Sequence, residues 1–210
     1  VDLGGIPAIS LNQARLSPAN MVLKRVIDFS LSGFGLLVLS PFLAIISLGV
    51  KLTSKGPIFY GQKRMGLDGL TFTMWKFRSM KVDTENAGAG WTVENDPRRT
   101  KFGTFLRSTS LDELPQLWNV FVGDMSLVGP RPEQPFYVEK FRQEVPAYML
   151  RHRMKAGITG WAQINGWRGN TSIVRRIECD IYYIKNWSPW LDIKILGLTF
   201  LKGFIGKNAY

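Results

Sequence analysis

An acidic pair, Asp112-Glu113, closely follows Arg107 in the segment Arg107-Ser108-Thr109-Ser110-Leu111-Asp112-Glu113-Leu114-Pro115-Gln116. Ser110 and Glu113 have the spacing of a capping box, which puts both carboxylates in the first turn of a helix. Pro115 fits poorly so deep in a first turn, so the start could fall slightly later. Free N–H groups and the helix dipole at such a terminus favour carboxylates and phosphate alike. Alone, the pair reads as ordinary first-turn residues. Two carboxylates and an arginine at the edge of a membrane suit phosphoryl transfer with a hard cation, because Mg²⁺ binds one or two carboxylates plus phosphate oxygens.

Other residues are weaker singly. Lys76-Phe77-Arg78 follows a predicted strand, and its alternation turns both charges to one side. Arg131 lies in Gly129-Pro130-Arg131-Pro132, where prolines stiffen the backbone; that suits an anion site or a structural ion pair. Asp180 and Asp192 fall in apolar, aromatic helices, where burial is costly unless the carboxylate is paired or metal-bound. Spacing alone places both at the surface. A single histidine, His152, excludes a His-based metal cluster, and a single cysteine, Cys179, excludes an intrachain disulfide.

These residues need elements to hold them. Residues 26–50 carry one charge, Asp28, and are long enough to cross a bilayer as a helix. Ser40-Pro41 predicts a kink past the middle, with Ser40 satisfying part of the freed backbone. Lys24 and Arg25 precede the run, and Lys51, Lys55, Lys63 and Arg64 follow it. Basic residues on both sides give no direction for crossing. A helix that enters, bends and returns is as compatible with this pattern as one that spans. Residues 57–62 and 71–75 read as short strands around a turn, 81–100 as a polar loop, and 104–122 as mainly helical. Residues 135–154 read as an amphipathic helix broken near Pro146, 157–169 as a Gly-rich loop, and 173–187 and 189–204 as helices. The last is apolar enough to lie in a membrane interface or in a core. The fold class is therefore α+β, mainly helical.

The chain has 210 residues, 45% hydrophobic, and a net charge of +11. Such an excess tolerates nucleic acid, anionic lipid or phosphorylated small molecules. Seven Trp and 13 Phe among the basic residues favour a membrane interface. The chain starts at Val1, and residues 1–20 read as a lead-in from a larger N-terminal region.

In its motifs the sequence resembles the bacterial sugar transferases, the monotopic polyprenyl-phosphate phosphoglycosyl transferases. The resemblance runs from about Met21 to the end. It rests on Lys24-Arg25-Val26-Ile27-Asp28, Ser40-Pro41, Gly56-Pro57-Ile58-Phe59, Lys76-Phe77-Arg78-Ser79-Met80, the segment from Arg107 to Gln116, Gly123-Asp124-Met125-Ser126, Gly129-Pro130-Arg131-Pro132, Gly157-Ile158-Thr159-Gly160, Asp180-Ile181-Tyr182-Tyr183 and Leu191-Asp192. It implies a re-entrant membrane helix over residues 21–53, broken at Ser40 and Pro41. A cytoplasmic catalytic domain with interfacial amphipathic helices and a small β element would follow over residues 54–210, on the inner (cytoplasmic) membrane of a bacterium.

The resemblance also implies chemistry. Asp112 would attack the β-phosphate of a UDP-sugar, expel UMP and form a phosphosugar–aspartate intermediate, from which undecaprenyl phosphate takes the sugar phosphate. Glu113 would coordinate Mg²⁺ and complete the catalytic pair. Lys76, Arg78, Arg107 and Arg131 would contact phosphate or nucleotide, and Asp180 and Asp192 match further active-site carboxylates. Membrane lipid is a partner, nucleic acid is not, and a homodimer is compatible. Residues 160–169 and the Asn208-Ala209-Tyr210 tail look most like the glucose-1-phosphate transferases of exopolysaccharide assembly, with UDP-glucose as donor; galactose-1-phosphate transfer is the near alternative. A non-catalytic binder of anionic lipid is the reading from a different class. Direct transfer, with Asp112 as a base, is the other chemistry. The family often has Pro where this chain has Ala156.

Overall fold

The computed structural model describes residues 2–3, 6–7, 16–80, 98–169 and 171–203. The architecture is α+β and mainly helical. Asp2–Leu3 (β1) and Ile6–Pro7 (β2) pair antiparallel. The long helix α1, Pro18–Thr53, has Pro at its start and Ser17 as cap, the Ser17 hydroxyl accepting from the Asn20 N–H. It begins slightly before the expected 21–53 segment. It also stays helical through Ser40-Pro41, where the Ser40 hydroxyl donates to Leu37 O at 2.8 Å. Proline there removes one hydrogen bond without ending the helix. At 36 residues α1 runs about 54 Å along its axis.

Most of α1 faces outward. Leu37 is 73% exposed and Leu52 77%, and Phe34, Ile45 and Leu48 are exposed with them. Among the described residues, α1 is the one helix long and apolar enough to cross a membrane. The buried exceptions fall in two groups. Lys24, Asp28 and Ser32 lie near its start; Ile46 and Val50 lie near its end. The spacing from Lys24 through Asp28 to Ser32 is that of one helix face, so α1 meets the body with a polar stripe. Its C-terminal half packs with apolar residues on Phe77 and Leu106.

The strands Phe59–Met65 (β3) and Thr71–Phe77 (β4) form an antiparallel hairpin, in register from Phe59↔Phe77 to Met65↔Thr71. The expected turn between them is a 3₁₀ turn at Leu67–Gly69, with left-handed Asp68 (φ 52°) and Gly69 (φ 79°). The polar loop expected at 81–100 lies mostly outside the described residues. The helix expected over 104–122 is three pieces: α2, Lys101–Ser108; a 3₁₀ turn, Leu111–Glu113; and α3, Gln116–Val122. Ser110 does not form the expected capping box. Its backbone is left-handed (φ 57°) and its side chain caps nothing. The turn starts as a sharp corner instead.

Residues 135–154 divide near Pro146 as expected, into α4, Pro135–Glu144, and a 3₁₀ helix, Tyr148–Arg153. The Gly-rich segment is more ordered than expected. Ser126–Val128 (β5) pairs in parallel with Gly157–Thr159 (β6), and a short helix α5, Trp161–Ile164, follows. Three-residue strands with glycine give no period-2 signal to read. The glycines allow a close backbone approach: a Cβ on Gly157 would land on the backbone of Gly129 and on Thr159 O. Gly157→Ala is therefore expected to cost about 2 kcal/mol or more, read as a lowered midpoint in urea unfolding. Helices α6, Ile173–Lys185, and α7, Pro189–Gly203, complete the body. One core cluster joins Val128, Met154, Ile164, Tyr183, Trp187 and Ile195 beneath β5 and β6.

Candidate active site

The corner at Ser110 turns Asp112 and Glu113 inward, and both are buried. Lys76, near the end of β4, reaches Glu113 Oε1 at 2.8 Å and Asp112 Oδ2 at 3.9 Å. Arg131, held between two prolines, donates from NH2 to Glu113 Oε1 at 2.7 Å and from NH1 to Oε2 at 3.4 Å. Arg168 NH2 stands 3.7 Å from Glu113 Oε1. Arg107 donates from Nε to the Ser79 hydroxyl at 2.8 Å and lowers the Asp112 pKa through space. Two carboxylates from one tight turn thus face basic side chains from four separate segments.

The two acids differ. Burial raises the Asp112 pKa; Lys76 pulls it back and Glu113 pushes it up further. Burial also acts on Glu113, but Arg131, Lys76 and Arg168 outweigh it and hold Glu113 well below the ordinary glutamate range. Glu113 is therefore a fixed anion that organises the cations, while Asp112 is the more basic carboxylate. Among the described residues no three His, Cys, Asp or Glu side chains cluster. A divalent cation here would take Asp112 and Glu113 and fill its shell with phosphate oxygens and water, a donor set that suits Mg²⁺. Glu113 Oε1 already faces Lys76 and Arg131, so such a cation would be held by Asp112 and the more loosely held Oε2.

Other expected site residues lie elsewhere. Arg78 does not join Lys76 at the acidic pair. It sits just past β4, is buried, and donates from NH2 to the Ser54 carbonyl at 2.8 Å and hydroxyl at 2.9 Å, fastening the C-terminal end of α1. Asp180 and Asp192 are not at the surface: they are 2% and 5% exposed. Asp180 pairs with Arg151 NH2 at 2.8 Å. Asp192 accepts from Lys24 Nζ and from the Tyr183 hydroxyl, each at 2.6 Å, and from Trp187 Nε1 at 3.2 Å. Neither makes an ion pair with the cations that surround Glu113. Asp192 ties α7 to the start of α1, and its partners come from chain positions too distant for spacing to reveal.

Two arginines that sequence reasoning gave no role belong to the site or its support. Arg151, wholly buried, donates from NH2 to the Arg131 carbonyl at 2.7 Å and so links Asp180 to the residue that clamps Glu113. Arg168 approaches Glu113 directly. Its flanking glycines, Gly166 and Gly169, were the available signal, since a cation in a Gly-rich loop is a phosphate-site pattern.

The structure brings Asp112 and Glu113 together with Lys76, Arg131 and Arg168, and comparison with known proteins identifies the family. Residues 19–206 match the bacterial sugar transferase family model. The chain is 51% identical over 213 residues to the UDP-glucose:undecaprenyl-phosphate glucose-1-phosphate transferase of Escherichia coli (strain K12), covering 100% of this chain and 46% of that protein. It is 50% identical over 213 residues to the Klebsiella pneumoniae protein of that name, with the same coverage. It is also 42% identical over 195 residues to the UDP-N-acetylgalactosamine-undecaprenyl-phosphate N-acetylgalactosaminephosphotransferase of Aeromonas hydrophila, covering 92% of this chain and 46% of that one. The chain spans about half the length of these curated relatives. A family match over residues 19–206, nearly the whole length, means that the chain belongs to the bacterial sugar transferase family.

Proposed function

We propose that the chain transfers a hexose 1-phosphate, best glucose 1-phosphate, from a UDP-sugar to undecaprenyl phosphate and releases UMP. The observation that carries this is the burial of Asp112 and Glu113 among Lys76, Arg131 and Arg168. Asp112, the more basic acid, is the nucleophile. Its carboxylate oxygen bonds to the β-phosphorus, the bond from that phosphorus to the bridging oxygen breaks, and UMP leaves with that oxygen. A phosphate oxygen of the lipid then bonds to the same phosphorus and Asp112 departs as a free carboxylate. Phosphoryl transfer depends mainly on positioning and charge neutralisation. Lys76 and Arg131 supply positive charge from a rigid strand end and a proline-braced loop. Mg²⁺, when bound by Asp112 and Glu113, would neutralise phosphate charge.

Membrane embedding follows from α1. Its exposed Phe34, Leu37, Ile45 and Leu48 need an apolar solvent. A spanning helix would carry its two ends to opposite faces. Here Asp28 near the start accepts from Leu127 N at 3.0 Å, while Val50 near the end packs with Phe77 and Leu106 of the same body. Both ends on one body favour a re-entrant helix. The body would then lie on the cytoplasmic face of the inner membrane, where nucleotide sugars are available. The names of the Escherichia coli and Klebsiella pneumoniae relatives support glucose; the Aeromonas hydrophila name makes UDP-N-acetylgalactosamine the first competitor.

The test is incubation with Mg²⁺ and UDP-glucose labelled in its β-phosphate, without lipid acceptor. Labelled protein and free UMP are expected, and Asp112→Asn should yield neither. Product without labelled protein would replace the covalent route by direct transfer. Product from UDP-galactose or UDP-N-acetylgalactosamine alone would correct the sugar. A protein that binds anionic lipid but turns over no UDP-sugar would overturn the enzyme reading.

A further inference from the structure

The face of the β3–β4 hairpin that carries Lys76 carries a second side chain, Tyr60, with no part yet in the site. Tyr60 on β3 stands directly opposite Lys76 on β4. Facing partners in an antiparallel pair project to the same side, with Cβ atoms about 5 Å apart. Tyr60 therefore flanks the lysine that meets Asp112 and Glu113. Gln62 and Arg64 follow on that face at the strand period of two. Burial lowers the Arg64 pKa, and Glu133, Arg131, Glu113 and Tyr60 all act on it through space, which sets the Tyr60 phenol on the acidic-pair side of the hairpin. Yet Tyr60 is 36% exposed, and among the described residues its hydroxyl has no hydrogen-bond partner.

The orientation of the hairpin turns this residue toward the membrane helix. The tip at Leu67–Gly69 is one end; the open end is fastened to the end of α1. Arg78 N donates to Ile58 O at 2.9 Å, and Arg78 NH2 donates to the Ser54 carbonyl at 2.8 Å. Ser54 is the C-cap of α1. Tyr60 lies at that open end, a few residues past Thr53, and the exposed Leu52 and Phe59 extend the apolar surface of α1 toward it. A tyrosine joins an apolar ring to a polar tip, the combination that suits a membrane–water boundary. A phosphate carried on a lipid in the plane of the membrane meets this end of the hairpin first.

We propose that Tyr60 is a binding residue for the lipid phosphate acceptor: its hydroxyl donates to a phosphate oxygen beside Lys76, and its ring lies against the first carbons of the polyprenyl chain. This rests on the phosphotransferase reading of the site. The nucleotide takes part only in the first half-reaction, the lipid phosphate only in the second, and the sugar phosphate in both. The half-reaction that depends on Tyr60 therefore identifies what it touches.

The experiment compares wild type with Tyr60→Phe and Tyr60→Ala in two separated half-reactions: UMP release from UDP-glucose, and chase of labelled protein with undecaprenyl phosphate. Binding of undecaprenyl phosphate in detergent micelles is measured alongside. Tyr60→Phe is expected to slow the chase about 10-fold at limiting lipid, the scale for one hydrogen bond to a charged group. Tyr60→Ala also gives up the ring contact and should slow it about 100-fold. Both variants should affect the chase far more than UMP release, and both should bind undecaprenyl phosphate more weakly. Should Tyr60→Ala fail to fold, Tyr60→Phe carries the same comparison, since it keeps the ring and the strand. Equal slowing of both half-reactions would move Tyr60 to the sugar phosphate, and a slow first half-reaction alone would move it to the nucleotide; either result overturns the proposal. So would a wild-type chase and wild-type lipid affinity in a folded variant. If wild type itself turns over no UDP-sugar, the phosphotransferase reading falls, and affinity for undecaprenyl phosphate alone decides whether Tyr60 binds the lipid.

Discussion

Glu113→Gln is expected to slow UMP release by about 100- to 1000-fold and to move the acid limb of the pH–rate profile to lower pH. The first effect follows from geometry. Glu113 orients Lys76 and Arg131 through contacts of 2.8 and 2.7 Å, and loss of one organising electrostatic element is worth about 10²–10³ in rate. The second follows from sign. In the mechanism we propose, Asp112 must be ionised to attack phosphorus, so turnover falls as pH drops through its pKa. That pKa is raised by burial, lowered by Lys76 and raised again by the Glu113 charge. Removing the Glu113 charge takes away one raising influence and frees Lys76, already 3.9 Å away, to pair with Asp112. The Asp112 pKa then falls and the acid limb shifts acidward. A pH–rate profile of single-turnover UMP release checks both effects. An unmoved limb with a large rate loss would make Glu113 a metal ligand or scaffold only, with no electrostatic hold on Asp112.

The second large effect is on stability, at the pair behind Arg131. Asp180→Leu is expected to cost about 3–5 kcal/mol, the range for leaving one partner of a buried ion pair alone. Arg151→Met should cost less, about 2 kcal/mol. The asymmetry is a matter of protons. Arg151 is wholly buried and cannot shed its charge. Burial already lifts Asp180 to about 6 even with Arg151 pulling it down, so without Arg151 it takes up a proton and stays neutral. The double variant should recover much of the loss. Urea unfolding of the three variants checks this; a larger loss for Arg151→Met than for Asp180→Leu would contradict it. The pH dependence has a defined sign as well. Since the folded-state pKa of Asp180 lies above the ordinary value of 3.8, the folded protein holds the extra proton between the two. The proton-linked part of the Asp180 contribution is therefore full below about 3.8 and is lost as pH rises through about 6, above which the ionised carboxylate acts through its pair with Arg151.

Both predictions depend on contacts between distant parts of the chain. The sequence alone determined the elements with a strong period or strong punctuation. It predicted the apolar helix, the hairpin around Gly66-Leu67-Asp68-Gly69, the break near Pro146 and the two C-terminal helices, because such signals are local. It also marked Asp112-Glu113 and Arg131 as candidates, since an acidic pair near arginine and an arginine between prolines are readable from side-chain type and backbone stiffness.

Tertiary structure decided the rest. The short parallel pair β5–β6 exists because Gly129 and Gly157 let two backbones touch, which no periodicity encodes. Ser110 forms a left-handed corner rather than a helix cap, because the chain must turn Asp112 and Glu113 toward Lys76. Arg78 and Lys76 share a side of the sequence pattern but not a partner, since the strand ends between them. Asp180 and Asp192 are buried because Arg151 and Lys24 meet them from elsewhere in the fold, and Arg168 reaches Glu113 only through its glycine-flanked loop. The type of a residue can be read from the sequence; a charge's neighbours depend on long-range packing, and those neighbours set its pKa, its burial and its role.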